Sequence, residues 1–200
     1  EGNGGNVTIN GGVGNDDILI TARSFVGGEG NAETIDVDPR AIDGYFNGYS
    51  RVDGTVTISG GTGSDDIDIY AGYGSHMSLG DVEVNGNDGN DDIQLAANNV
   101  GQYYYNSLDG GQLDTQNVTI NGGHGADDIS VVASSYGAVI NINGNLTING
   151  GAENDEILTG AWYSEGLFVS GDMNLNGNAG HDQLGVFSDG TNVSIGIGYG

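Results

Sequence analysis

The chain has 200 residues, of which 40 are glycine, and its 28 acidic side chains face only three basic ones, a formal net charge of −25. That surplus excludes sequence-independent binding of nucleic acid, whose phosphates must be met by cations, and argues against docking on anionic lipid or holding an acidic polysaccharide directly. The absence of cysteine removes disulfides, thiolate metal sites and thiol catalysis, so any staple must be of another kind.

In chain order, six segments align: VTINGGVGNDDILI from Val7, VTISGGTGSDDIDI from Val56, VEVNGNDGNDDIQL from Val82, VTINGGHGADDISV from Val118, LTINGGAENDEILT from Leu146 and MNLNGNAGHDQLGV from Met173. Their starts lie 49, 26, 36, 28 and 27 residues apart, which predicts a period near 27 with insertions. The long first interval holds either one insertion or a degenerate coil within 21–54, where Gly27–Val37 looks like a degraded copy. Each unit begins with apolar residues two apart, as in Val7/Ile9 and Val118/Ile120, and repeats that spacing after a glycine-rich corner, as in Ile18/Ile20 and Ile129/Val131. A third, looser run follows, as in Met77/Leu79, Ile140/Ile142, Leu167/Val169 and Val193/Ile195/Ile197. Period two is that of a β-strand with one buried face, and helical spacing is absent. Three short strands per repeat predict an all-β chain, a single right-handed parallel β-helix or β-solenoid domain over 1–200 of about six coils. At roughly 4.8 Å per coil it would be about 29 Å long.

Parity then places the corner acids. Asp16 has the parity of Ile18 and Ile20 and turns inward, whereas Asp17 faces out. Stacking predicts an inner file of Asp16, Asp65, Asp91, Asp127, Asp155 and Asp182, and an outer file of Asp17, Asp66, Asp92, Asp128 and Glu156. Like charges 4 to 5 Å apart cost on the order of 1 kcal/mol per pair in water and ~4 at an effective dielectric of 20. A hard divalent cation between coils reverses that sign, using carboxylates and backbone carbonyls, the usual oxygen donors of Ca²⁺. Gly12, Gly14, Gly61, Gly63, Gly89, Gly123 and Gly125 belong at such a corner because it needs positive φ and close backbone approach, so their backbone joins the expected ligand set. The alternative reading is that the aspartates are turn formers and nothing more.

The corners G-G-V-G-N-D-D-I-L from Gly11, G-G-T-G-S-D-D-I-D from Gly60 and G-G-H-G-A-D-D-I-S from Gly122 resemble the calcium-binding nonapeptide of the RTX (repeats-in-toxin) family, G-G-x-G-x-D-x-U-x with U a large apolar residue. The copies from Gly86, Gly150 and Gly177 depart from it by one or more glycines. The resemblance implies Ca²⁺ at these corners. The nonapeptides are not in tandem, since about 18 residues separate them, and that favours a wide β-helix over the two-strand roll of the family.

Other features are weaker. Tyr73, Tyr103, Tyr104, Tyr105, Tyr136, Trp162 and Tyr163 follow the second strands and form a candidate interface for glycans or protein, or else cover the end of the core. Thr8, Thr57, Thr119 and Thr147 form an outward file, interrupted by Glu83 and Asn174, that raises ice binding but is also ordinary strand composition. Sequons at Asn6, Asn117, Asn145 and Asn192 arise from the repeat itself. His76, His124 and His181 share no ligand spacing, and no nucleophile elbow, P-loop or HExxH is present. Catalysis is not expected, because an active site is a departure from a repeat whereas these carboxylates are the repeat. No apolar run reaches the ~20 residues of a membrane span. The start at Glu1 is expected of a processed or excised piece, and the last apolar run ends near Gly200 without an amphipathic cap. Together these features predict a secreted, extracellular or cell-surface protein, stiffened by Ca²⁺, that builds a filament, matrix or surface layer by joining copies of itself end to end or edge to edge. Its rivals are a spacer in a large adhesin and a polysaccharide-binding or polysaccharide-degrading module acting on surface glycans.

Overall fold

A computed structural model describes residues 5–22, 34–36, 49–72, 74–97, 110–135, 137–162 and 166–188. The first repeat forms β1 (Val7–Val13) and β2 (Asp17–Ala22), followed by β3 (Thr34–Asp36) and β4 (Tyr49–Val52). The next two give β5 (Val56–Thr62), β6 (Asp66–Ala71) and β7 (His76–Leu79), then β8 (Val82–Asp88), β9 (Asp92–Ala97) and β10 (Gln112–Thr115). Two more give β11 (Val118–His124), β12 (Asp128–Ala133) and β13 (Val139–Ile142), then β14 (Leu146–Ala152), β15 (Glu156–Ala161) and β16 (Gly166–Val169). The described chain ends with β17 (Met173–Ala179) and β18 (Gln183–Ser188).

Each of the three strands in a repeat joins a different sheet. The first sheet runs β1-β5-β8-β11-β14-β17, the second β18-β15-β12-β9-β6-β2-β3, and the third β16-β13-β10-β7-β4. Every pairing is parallel, and equivalent residues face one another, as in Ile58 with Val84 and Ile129 with Ile157. The architecture is therefore a parallel β-solenoid, all-β among the described residues. β3 pairs with the side of β2 away from β6, so the long first interval contains a strand laid beyond the first repeat before β4 rejoins the stack.

The period-two pattern sets the interior. β5, β11 and β14 alternate buried and half-buried residues from their first position, and β6, β9 and β15 bury their second, fourth and later residues. Ile58, Ile67, Met77, Leu113, Ile120, Ile129, Ile140 and Ile148 are wholly inaccessible to solvent. Burying each such side chain contributes roughly 1.5–3 kcal/mol. Because a strand residue sits over its counterpart in the next repeat, this core is a set of aliphatic files along the axis. Tyr70 is buried too, at the end of the second-sheet face.

Removing three carbons from the middle of a file tests this packing. Ile129→Ala should lower unfolding stability by about 2–5 kcal/mol, read as a reduced denaturant midpoint at unchanged slope, whereas Val13→Ala, at a residue 90% exposed, should change it little.

Candidate metal centre at the stacked corner

The corner between the first and second sheets places both acid files where parity predicts. Asp65, Asp91, Asp127 and Asp155 are each only 2% exposed, and Asp16 and Asp182, nearer the ends of the stack, are half-buried. Asp17, Asp66, Asp92, Asp128 and Glu156 are exposed and stand opposite one another in register, with Gln183 ending the file. The two files thus lie on opposite sides of one strand, and no single point collects both.

The inner file does something the sequence did not disclose. Each carboxylate from Asp65 to Asp182 accepts, through Oδ1, the backbone N–H of the equivalent aspartate one repeat earlier. Asp16 donates to Asp65 at 2.9 Å, Asp65 to Asp91 at 2.9 Å, Asp91 to Asp127 at 2.9 Å, Asp127 to Asp155 at 3.0 Å and Asp155 to Asp182 at 3.1 Å. The corner residue precedes its strand, so its amide lacks a ladder carbonyl, and the side chain from the next repeat replaces it. The second oxygen has no such partner: Oδ2 of Asp16, Asp65, Asp91, Asp127 and Asp155 is buried without a hydrogen bond. A buried carboxylate oxygen left in that state is costly.

Glycine surrounds this orphan oxygen. A Cβ on Gly11, Gly60, Gly86, Gly122, Gly150 or Gly177, five residues before each inner aspartate, would overlap that aspartate's Oδ2. At Gly11, Gly60, Gly86 and Gly122 it would also meet the carbonyl oxygen of the equivalent glycine in the next repeat. The missing methyl leaves a cradle on which one carboxylate oxygen and one carbonyl oxygen converge. These first glycines of the corner were not among the expected ligands. Those that were, Gly12, Gly14, Gly61, Gly63, Gly89, Gly123 and Gly125, all have φ between 106° and 142°, the left-handed region glycine tolerates. Their role is close stacking: a Cβ on Gly61, Gly63 or Gly125 would strike the carbonyl of Gly12, Gly14 or Gly89.

Burial dominates the electrostatics. It raises Asp91, Asp127 and Asp155 above the ordinary carboxylate value, Asp127 to about 6, with neighbouring carboxylates adding to the rise and the accepted backbone N–H opposing it. Asp66 and Asp92 in the outer file are raised by partial burial and then by their neighbours. The donors are hard oxygens without thiolate or imidazole, the set suited to Ca²⁺ or Mg²⁺. Among the described residues, no three His, Cys, Asp or Glu side chains group as a metal site. A cation at the inner file would therefore complete its shell from backbone carbonyls.

Of the aromatic candidates only Trp162 lies within the described residues; Tyr73, Tyr103, Tyr104, Tyr105, Tyr136 and Tyr163 fall outside them. Trp162 is half-exposed and meets Phe187 edge to face, ring centres 5.4 Å apart. The threonine file forms, with Thr8, Thr57, Glu83, Thr119, Thr147 and Asn174 side by side. Beside it runs an unforeseen amide ladder in which Asn121, Asn149 and Asn176 each donate Nδ2–H to the Oδ1 of Asn85, Asn121 and Asn149 at 2.8, 2.8 and 3.0 Å. The sequon asparagines have a structural use as well, since Oδ1 of Asn6, Asn117 and Asn145 accepts the N–H of Thr55, Asn145 and Asp172; Asn192 lies outside the described residues. His124 and His181 are exposed, while His76 Nε2 lies 2.6 Å from Asp114 Oδ2, a carboxylate also served by Gln112 and Asn141. No protein-family model, curated protein or solved structure matches the chain.

The raised inner carboxyls set a pH dependence. The folded chain binds more protons than the unfolded chain between the ordinary value of 3.8 and the Asp127 value of about 6, so lowering the pH through that window stabilises the metal-free fold. Asp114 acts in the other sense, being lowered by its hydrogen bonds and by His76 against the effect of burial, and its contribution is lost only below the ordinary carboxylate value. Metal-free protein should therefore melt at a higher temperature near pH 5 than near pH 8, and Asp127→Asn should flatten that difference. An unchanged slope in the variant would remove the inner file as its source.

Proposed function

We propose that this chain is a structural element working outside the cell, a right-handed solenoid of six coils whose corner carboxylates take up Ca²⁺ and which joins copies of itself into a filament, matrix or surface layer. The observation that carries the metal reading is the file of buried Asp Oδ2 atoms without a hydrogen bond, each beside the cradle of a glycine. The RTX-like corners support it independently. Bound Ca²⁺ would supply positive charge between stacked carboxylates. The side chains that would hold it are Asp65, Asp91, Asp127 and Asp155 from the inner file, with the carbonyls of Gly60, Gly86, Gly122 and Gly150 nearby. The outer file, exposed and in register, adds acids that bind more weakly because water screens them.

The chain's own residues define the metal-free condition. The carboxylates of Asp65, Asp91, Asp127 and Asp155 are each anchored by one backbone N–H and are otherwise uncompensated, so at neutral pH the files repel along the axis. Neutralising them couples ion uptake to folding. Self-association is supported by repetition itself, since a solenoid continues through its end faces with the same strand pairing it uses internally. The spacer reading shares the fold and metal chemistry and differs only in remaining single. The half-exposed Trp162 beside Phe187 favours a glycan-stacking module as the remaining alternative.

Calcium at a hundred times its dissociation constant should add about 2.7 kcal/mol of stability per filled site, read as a rise in melting temperature that a chelator reverses. β-sheet circular dichroism and electron micrographs taken with and without chelator complete the test. Loss of sheet signal and shortening of particles on chelation is the expected result, single particles in calcium identify the spacer, and indifference of both readouts to calcium sinks the proposal.

A further inference from the structure

The repeat is broken at one corner in a way that concentrates negative charge. Its third glycine, Gly14, Gly63, Gly89, Gly125 and Gly180 in the other repeats, has positive φ throughout, and in the fifth repeat the position is Glu153, held at φ 81°. A residue bearing a side chain loses free energy in that conformation, and glycine would not. The hydrogen bonding changes at the same place. Gly14, Gly63 and Gly89 donate their N–H to the carbonyls of Thr62, Asp88 and His124 in the next repeat, at 2.8, 2.8 and 2.7 Å. Gly125 instead donates to the Glu153 carboxylate, Oε2 at 2.9 Å, and not to the equivalent Ala152 carbonyl.

Glu153 is thus an exposed carboxylate fixed by the amide of Gly125, two residues before Asp127, while its own backbone lies two residues before Asp155; its charge adds to the rise of both aspartates, after burial. Both aspartates are 2% exposed, and both keep an Oδ2 without a partner. A third negative charge beside two uncompensated buried carboxylates worsens the metal-free state, and so does the strained backbone. Neither cost brings a packing gain, because Glu153 lies in solvent.

We infer that Glu153 makes the corner between the fourth and fifth repeats the tightest divalent-cation site of the stack, its negative charge adding to that of Asp127 and Asp155 without its joining them as a ligand. This rests on the calcium reading above and adds a rank order to it: negative charge close to one of several similar oxygen sites raises its affinity for Ca²⁺. The corner that carries the extra carboxylate fills first, and the corners built on glycine fill later. The same residue makes the metal-free chain less stable there.

Calorimetric titration with calcium chloride, paired with melting of the metal-free protein, tests this on the full chain. Glu153→Gly restores the residue of the other repeats, so it should raise the metal-free melting temperature by about 2 °C while weakening the tightest calcium class about tenfold. Glu153→Gln keeps the left-handed side chain and an oxygen for the Gly125 amide, and should weaken that class similarly with little effect on melting. If the tightest class stays within twofold in both variants, Glu153 serves only to cap the Gly125 amide and the inference is overturned. If the unaltered chain takes up no calcium, the inference falls together with the function proposed above.

Discussion

Everything in this solenoid depends on one constraint: a parallel in-register stack must place each side chain over its own counterpart. For isoleucine this is favourable, and the interior is built from such files. For asparagine it is favourable as well, because an amide is both donor and acceptor and can chain indefinitely, as Asn85, Asn121, Asn149 and Asn176 do. For aspartate it is not, because an ionised carboxylate only accepts. The inner file is tolerable because each Oδ1 meets a backbone amide that would otherwise have no partner, so the donor the stack lacks is taken from the main chain. Half of each carboxylate remains unanswered.

That incomplete answer is why the acids and glycines of the corner must be considered together. The inner carboxylate lies so close to the first glycine of its own corner that a methyl group there would overlap it. Aspartate and glycine are coupled by contact, five residues apart, as well as by a shared preference for turns. The later glycines meet a separate demand, since their positive φ turns the chain and their bare Cα lets the next repeat settle onto a carbonyl. One run of glycines therefore serves two purposes that composition alone does not separate.

How much of this was legible in the sequence follows from which quantities parity controls. Strand identity, the burial of Asp65 and the exposure of Asp66 follow from alternation, and the parallel stack follows from the repeat of three strands per unit; each appears where it was expected. Atom-level partners do not follow from alternation. That Asp91 Oδ1 would take the Asp65 amide, or that Gly60 rather than Gly61 would press on the carboxylate, depends on the path of the chain around the corner. The amide ladder was visible only as recurrent asparagine before glycine, a pattern that does not show which amides meet. β3 was foreshadowed by the degraded copy at Gly27–Val37, but its place beyond β2 depends on a connection of nonrepeating length. Glu153 was read as a weakened copy of the corner, because a sequence pattern scores a lost glycine as decay and cannot see which amide the new side chain takes.

The charge of −25 is also unevenly spread once the sheets are known. The outward face of the second sheet carries Asp17, Asp66, Asp68, Asp92, Asp128 and Glu156, whereas the outward strand positions Thr8 to Asn174 and Asn10 to Asn176 of the first sheet include a single charge, Glu83. Two copies approaching through their second sheets would set like charge against like, and two approaching through their first sheets would not. Uncompensated acid thus restrains lateral contact on the second-sheet face, and it also opposes each axial step, where acid stands over acid in both files. A cation held at the inner file would act along the axis alone, because the outer file lies on the opposite side of the strand. Relief of repulsion on the second-sheet face would therefore require counterions at the outer file, a separate event from any that fills the inner one.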